Sequence, residues 1–87
     1  MTWRRCADTL FRTVPDGTLV ISLQGGDPVF LAAPGDAVWA LLDEDRTLDE
    51  LVAELARRFA APADDVARDC RSLLDDLVRR GLVMGAP

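Results

Sequence analysis

The chain of 87 residues has no histidine and no lysine, and only two cysteines. Without histidine, Ser22, Ser72 and Cys70 have no side chain that could act as their base at neutral pH, which argues against Ser–His or Cys–His catalysis. The same absence, together with the lack of a C-x-x-C pair, removes the usual zinc ligand sets. Cys6 and Cys70 are too few to form a disulfide framework, and Cys70 falls on the apolar side of a predicted helix as a small core residue. Long apolar runs are also missing, so no helix is expected to span a bilayer. No hydrophobic stretch follows Arg4 and Arg5 as a secretory signal would require. The expected location is therefore the cytoplasm. Gln24-Gly25-Gly26-Asp27 lacks the lysine and following helix of a phosphate loop. It reads as a hairpin turn, and no cofactor is expected.

Positive charge is scarce. Fifteen acidic residues against ten basic ones leave a net charge of -5. That balance opposes sequence-independent binding to phosphate backbones and suits a neutral or cationic peptide partner. The acidic clusters Asp43-Glu44-Asp45, Asp64-Asp65 and Asp75-Asp76 fall in a helix connection, at a helix start and on a solvated helix face. These positions account for them without catalysis, and the chain is read as no enzyme.

Hydrophobic residues make up 49% of the chain and charged residues 29%, as in a soluble globular domain. The length suits one domain with a small core. Residues 1–8 are read as an N-terminal tail, 9–84 as the domain and 85–87 as a C-terminal tail. Within the domain the apolar pattern first has a period of two. Thr9–Val14 reads as a strand ended by the turn Pro15-Asp16-Gly17, and Thr18–Leu23 as a second strand. Pro28-Val29-Phe30-Leu31 is a short third strand, and Pro28 places it at a sheet edge because proline cannot donate to a ladder. Closely spaced turns imply an antiparallel meander.

From Pro34 the period lengthens to that of a helix. Helix one is expected over Pro34–Asp43. Helix two starts at Thr47 with a capping box completed by Glu50. Helix three runs from Pro62 to Gly81, and its apolar set is Val66, Ala67, Cys70, Leu73, Leu74, Leu77 and Val78. On a helical wheel that set spans about 140°, a broad stripe for a terminal helix. Leu82-Val83-Met84 is expected to fold back on the core. Three strands followed by three helices define an α+β domain. An exposed edge strand beside so broad an apolar helix suggests a groove that could accept an added strand.

Two other classes share parts of this pattern. A winged-helix DNA binder also joins three helices to a small sheet, but its recognition helix would be basic. Here Arg68, Arg71, Arg79 and Arg80 are outnumbered by Asp64, Asp65, Asp69, Asp75 and Asp76. An acyl or peptidyl carrier needs a serine at a helix start, whereas Ser72-Leu73 lies within helix three.

Three segments resemble PqqD-like domains, the recognition elements for precursors of ribosomally made, post-translationally modified peptides (RiPPs). Leu31 is followed eight residues later by Trp39, similar to the family's junction of strand three and helix one. Trp39-Ala40-Leu41-Leu42-Asp43-Glu44-Asp45-Arg46-Thr47-Leu48-Asp49-Glu50-Leu51 resembles its Trp-x-x-Leu-Asp-Gly-x-Thr-x-x-Glu-Leu segment. Leu77-Val78-Arg79-Arg80-Gly81-Leu82-Val83 resembles its closing Leu-x-x-x-Gly-Leu-Val. Ala32-Ala33 and Glu44-Asp45 depart from the family's Asn-Pro and its glycine turn.

The resemblance implies a winged-helix-like fold of three antiparallel strands and three helices, with no catalysis of its own. It implies that the leader segment of a precursor peptide joins strand three antiparallel and packs on helix three. Carried onto this chain, Val29, Phe30, Leu31 and Ala32 offer edge backbone groups. Val66, Ala67, Cys70, Leu73 and Leu74 shape pockets, and Asp69 and Asp76 read polar or basic leader side chains. On that basis Leu74→Asp is expected to abolish binding with the fold intact. The stand-alone recognition proteins of lasso-peptide pathways are the form it resembles most, with a leader peptidase and a cyclase as partners. PqqD, the peptide chaperone of pyrroloquinoline quinone biosynthesis, is the alternative.

Overall fold

A computed structural model describes all residues, Met1–Pro87. Its elements run β1 (Thr2–Arg5), β2 (Thr9–Val14), β3 (Gly17–Ser22), β4 (Val29–Leu31), α1 (Gly35–Leu41), α2 (Leu48–Phe59), α3 (Ala63–Arg79) and β5 (Val83–Ala86). Strands β2, β3 and β4 form an antiparallel meander in that order, so β4 is an edge. Thr18 pairs with Leu31, Leu19 with Phe30 and Val20 with Val29. Alternate residues therefore face opposite sides of the sheet. Thr18, Val20 and Leu31 are buried under the helices, while Leu19 and Phe30 are exposed on the outer face. This is the α+β, winged-helix-like arrangement the sequence implies.

Local chemistry sets the helix ends. The Glu50 amide donates to Thr47 Oγ1 at 3.1 Å, and the Thr47 amide donates to Glu50 Oε1 at 3.0 Å. These two bonds make the capping box of α2 and hold the Glu50 carboxyl below its ordinary pKa. Helix α3 ends at Gly81, whose φ of +75° lets the chain reverse. The Leu82 amide then donates to the Leu77 carbonyl at 3.0 Å, a Schellman-type closure. Leu82 and Val83 are buried there as expected, whereas Met84, expected on the core with them, is 46% exposed. No helix is long and apolar enough to cross a membrane.

The two tails expected from sequence are parts of the fold. Strand β1 pairs antiparallel with β5, placing Thr2 opposite Ala86 and Trp3 opposite Gly85. Trp3 is only 4% exposed and belongs to the core. Its amide donates to the Arg46 carbonyl at 2.8 Å, which ties β1 to the α1–α2 connection. Arg5 reaches across α1, donating from Nε to the Trp39 carbonyl at 2.9 Å, with its guanidinium 4.5 Å from the Phe11 ring centroid. A single buried tryptophan anchors β1, and its partner strand lies at the far end of the chain. Neither property leaves a local period in the sequence.

The core joins Trp3, Val20 and Leu31 to Val38, Trp39 and Leu42, and to Leu51, Leu55, Cys70, Leu74, Leu77, Leu82 and Val83. Trp39 is its largest fully buried side chain. Its ring stands edge-on to Phe11 at a centroid distance of 5.7 Å, and its indole N–H is buried without an acceptor.

Candidate functional site

The outer edge of β4 carries no strand of this chain. In an antiparallel pair, successive residues point their N–H and C=O groups alternately toward and away from the partner. A Cβ built on Gly17 would overlap the Leu31 carbonyl oxygen, so that carbonyl points across to β3. Leu31, and Val29 two residues before it, therefore spend their backbone groups on β3. Phe30 directs its N–H and C=O to the open edge. The Ala32 amide has no backbone partner, but its carbonyl accepts the Gly35 amide at 2.7 Å. Among Val29, Phe30, Leu31 and Ala32, this alternation leaves the N–H and C=O of Phe30 and the N–H of Ala32 without a β3 partner.

Helix α3 approaches both ends of β4 and runs opposite to it. At one end, Leu31 and Leu73 meet across Gly35, where an added Cβ would come within 3.6 Å of Leu31 Cβ and Leu73 Cδ2. At the other end, Val29 shares a recess of about 150 Å³ with Arg80, Leu82 and the Gly25-Gly26-Asp27 turn. A larger apolar cavity of about 200 Å³ opens beyond the Leu73 end. Pro34 and Val38 form one wall of it, Leu55 and Phe59 a second, and Val66, Cys70 and Leu73 a third, with Asp65 and Asp69 also in the lining. The Arg80 recess thus adjoins Val29 at one end of β4, and the cavity adjoins Leu73 next to Leu31 at the other.

The helix residues singled out from sequence fall in different places. Val66, Asp69, Cys70 and Leu73 line the large cavity. Ala67 is half-buried beside them without lining it. Leu74 has no exposed surface and belongs to the core, so it shapes no groove pocket. Asp76 accepts from Arg79 Nη2 and Arg80 Nε, both at 2.9 Å, which leaves it engaged within its own helix. The cavity's other walls, Pro34, Val38, Leu55 and Phe59, were not singled out from sequence. Only Phe59 carried a signal, as a large apolar residue at a helix end that remains 46% exposed.

Burial raises the Cys70 thiol to about 11, so it is protonated near neutrality and acts as a small apolar floor for the cavity. Cys6 is half-buried at the end of β1, and burial also raises its pKa. Alkylation with iodoacetamide at about pH 8 should modify Cys6 first and leave Cys70 untouched until denaturant is added. Intact-mass analysis reads the order, and early labelling of Cys70 would contradict its buried placement.

Comparison with known proteins matches this architecture. The family model described as Coenzyme PQQ synthesis protein D (PqqD) matches residues 17–83, from the start of β3 to the start of β5. A curated "PqqA binding protein" of Rhizobium meliloti (strain 1021) is 40% identical over 47 residues, covering 53% of this chain and 48% of that protein. The chain therefore aligns with about half the length of that relative. The solved structure "TbiB1 in Complex with the TbiA(beta) Leader Peptide" superposes with a TM-score of 0.87 at 25% identity, over 97% of this chain and 98% of the other. The chain belongs to the PqqD family and has the fold of a RiPP recognition element.

Proposed function

We propose that this protein captures the leader segment of a ribosomally made precursor peptide by strand addition to β4, without catalysing a reaction itself. The observation that carries this reading is the open β4 edge, with a recess beside Val29 and an apolar cavity beyond Leu73. Phe30 supplies one donor and one acceptor to an added strand, and the Ala32 amide supplies a further donor. Each such bond contributes about 1 kcal/mol net, so side-chain packing must provide most of the affinity. The named relatives support the reading: one is described as binding PqqA, and the other was solved with a leader peptide.

Strand geometry specifies how the peptide lies. Antiparallel addition to β4 makes it run parallel to α3, with its N-terminal side at the Leu73 cavity and its C-terminal side toward Arg80. The peptide residue opposite Phe30 points to the outer face with Phe30, and its two neighbours point inward against α3. We infer further that the pathway is that of a lasso peptide, in which a leader peptidase and a cyclase would receive the captured precursor. Likeness to the "PqqA binding protein" favours a second reading, a chaperone for the pyrroloquinoline quinone precursor.

Calorimetric and NMR titrations with synthetic leaders of any short precursor genes found beside this protein's gene test both. We expect saturable one-to-one binding, with amide shifts concentrated at Phe30, Ala32 and Leu73. The precursor that binds identifies the pathway. Binding that moved only β1 and β5 resonances, or none with any neighbouring precursor, would reject capture at this edge.

A further inference from the structure

The meander has a second open side. In the order β2-β3-β4 the outer edge of β2 carries no strand either, but the two edges differ in kind. Strand β4 is three residues long and follows Pro28, whereas β2 has six residues, each paired with β3 without a bulge. Natural edge strands are protected by shortness, proline, bulges or charge. Of these devices β2 has only the charge of Arg12, which forms no ion pair within the chain. The Leu23 amide donates to the Asp8 carbonyl at 2.7 Å, one step beyond the Thr9–Ser22 pair. Alternation from there turns the backbone groups of Leu10, Arg12 and Val14 toward β3, and those of Thr9, Phe11 and Thr13 toward the open edge. The strand is open on both faces. Leu10 is 55% exposed on one, Phe11 is 47% exposed on the other, and Thr13 is exposed beside Phe11.

We propose that β2 is a self-association edge, where a second copy of this chain pairs its own β2 antiparallel about a two-fold axis. In such an isologous contact the register is constrained. Opposed residues must share a face of the sheet and turn their backbone groups alike, so the axis passes at a residue and not between two. An axis at Phe11 opposes Phe11 to Phe11 and each Thr9 to a Thr13, and every one of these pairs exchanges two hydrogen bonds. An axis at Arg12 would oppose two arginines and set Thr9 against Pro15, which has no N–H. An axis at Leu10 would set Thr13 against Ala7, outside the strand. The Phe11 register alone uses the whole edge. It also lays the Arg12 stem against Leu10 of the second copy, one diagonal step from that copy's Asp8. Asp8 accepts from Gln24 Nε2 and, like Arg12, has no ion pair of its own. The two meanders become one continuous sheet with a β4 edge free at either end, so self-association does not depend on leader capture or compete with it.

Sedimentation velocity of the full chain, from about 10 µM to about 1 mM, covers the range expected for so small an interface. We expect a monomer–dimer equilibrium. Thr13→Pro removes an outward N–H and fills the place of the partner strand while sparing the β3 ladder, and should raise the dissociation constant at least about tenfold. Arg12→Glu should also weaken the dimer by bringing like charges together, and the Asp8→Arg, Arg12→Glu double variant should recover it. That recovery is a result that damage to the fold cannot produce. A protein that stays monomeric throughout, or a dimer indifferent to Thr13→Pro, would overturn the proposal. A dimer weakened by Arg12→Glu but not recovered by the charge swap would overturn it as well.

Discussion

Phe30→Pro is expected to abolish leader binding, weakening it by at least about 100-fold, or 2.7 kcal/mol, while the domain stays folded. Proline removes the outward N–H of Phe30 and puts its ring into the space of the incoming strand. Edge strands accept proline where the N–H faces away from the sheet, and the Val29 and Leu31 groups that bind β3 are untouched. The Phe30 ring also packs over Gly17, so its loss needs a separate control. Phe30→Ala removes the ring but keeps the donor and should weaken binding by about tenfold or less. Calorimetry with a leader that the unaltered protein binds, alongside thermal melts of both variants, separates the two effects. Equal binding by the proline and alanine variants would show that the backbone of β4 does not carry the interaction.

Local chemistry made much of the fold legible. Strand β2 begins and ends where its residues and the Pro15-Asp16-Gly17 turn imply, and Thr47 with Glu50 marks the start of α2. Pro28 pointed correctly to an edge, since β4 begins at the next residue and has β3 on one side only. What stayed hidden depends on contacts between distant residues. The pairing of β1 with β5 joins the two ends of the chain, and nothing near Trp3 predicts its burial. The apolar arc of α3 is visible on a helical wheel, but a wheel does not say which flank meets the core and which meets the groove. The cavity's walls on α1 and α2 were hidden for the same reason, because Val38 and Leu55 carry the period of ordinary core residues. The backbone alternation that singles out Phe30 is equally absent from the sequence, since it depends on which residues of β4 face β3.

Leu74→Asp, which from sequence alone would remove binding and spare the fold, is instead expected to unfold the protein. Leu74 is completely buried among Cys70, Leu77 and the other core residues, whereas its neighbour Leu73 is half-buried and lines the cavity. Losing a buried leucine side chain costs about 2–5 kcal/mol. A carboxylate placed there has no cation to pair with and adds several kcal/mol more, whether it stays charged or takes up a proton. At roughly 0.05–0.15 kcal/mol per residue, a domain of this size has a total stability of about 4–13 kcal/mol, comparable with that combined cost. Leu73→Asp should behave differently, because its side chain is only half-buried and the new carboxylate can reach water. It should retain a cooperative melt and lose the leader, since a charge then occupies the apolar wall next to two existing carboxylates. Circular dichroism melts paired with leader titrations distinguish these outcomes. A folded Leu74→Asp would mean that Leu74 is not in the core. Undiminished binding by a folded Leu73→Asp would remove the cavity beyond Leu73 from the recognition site.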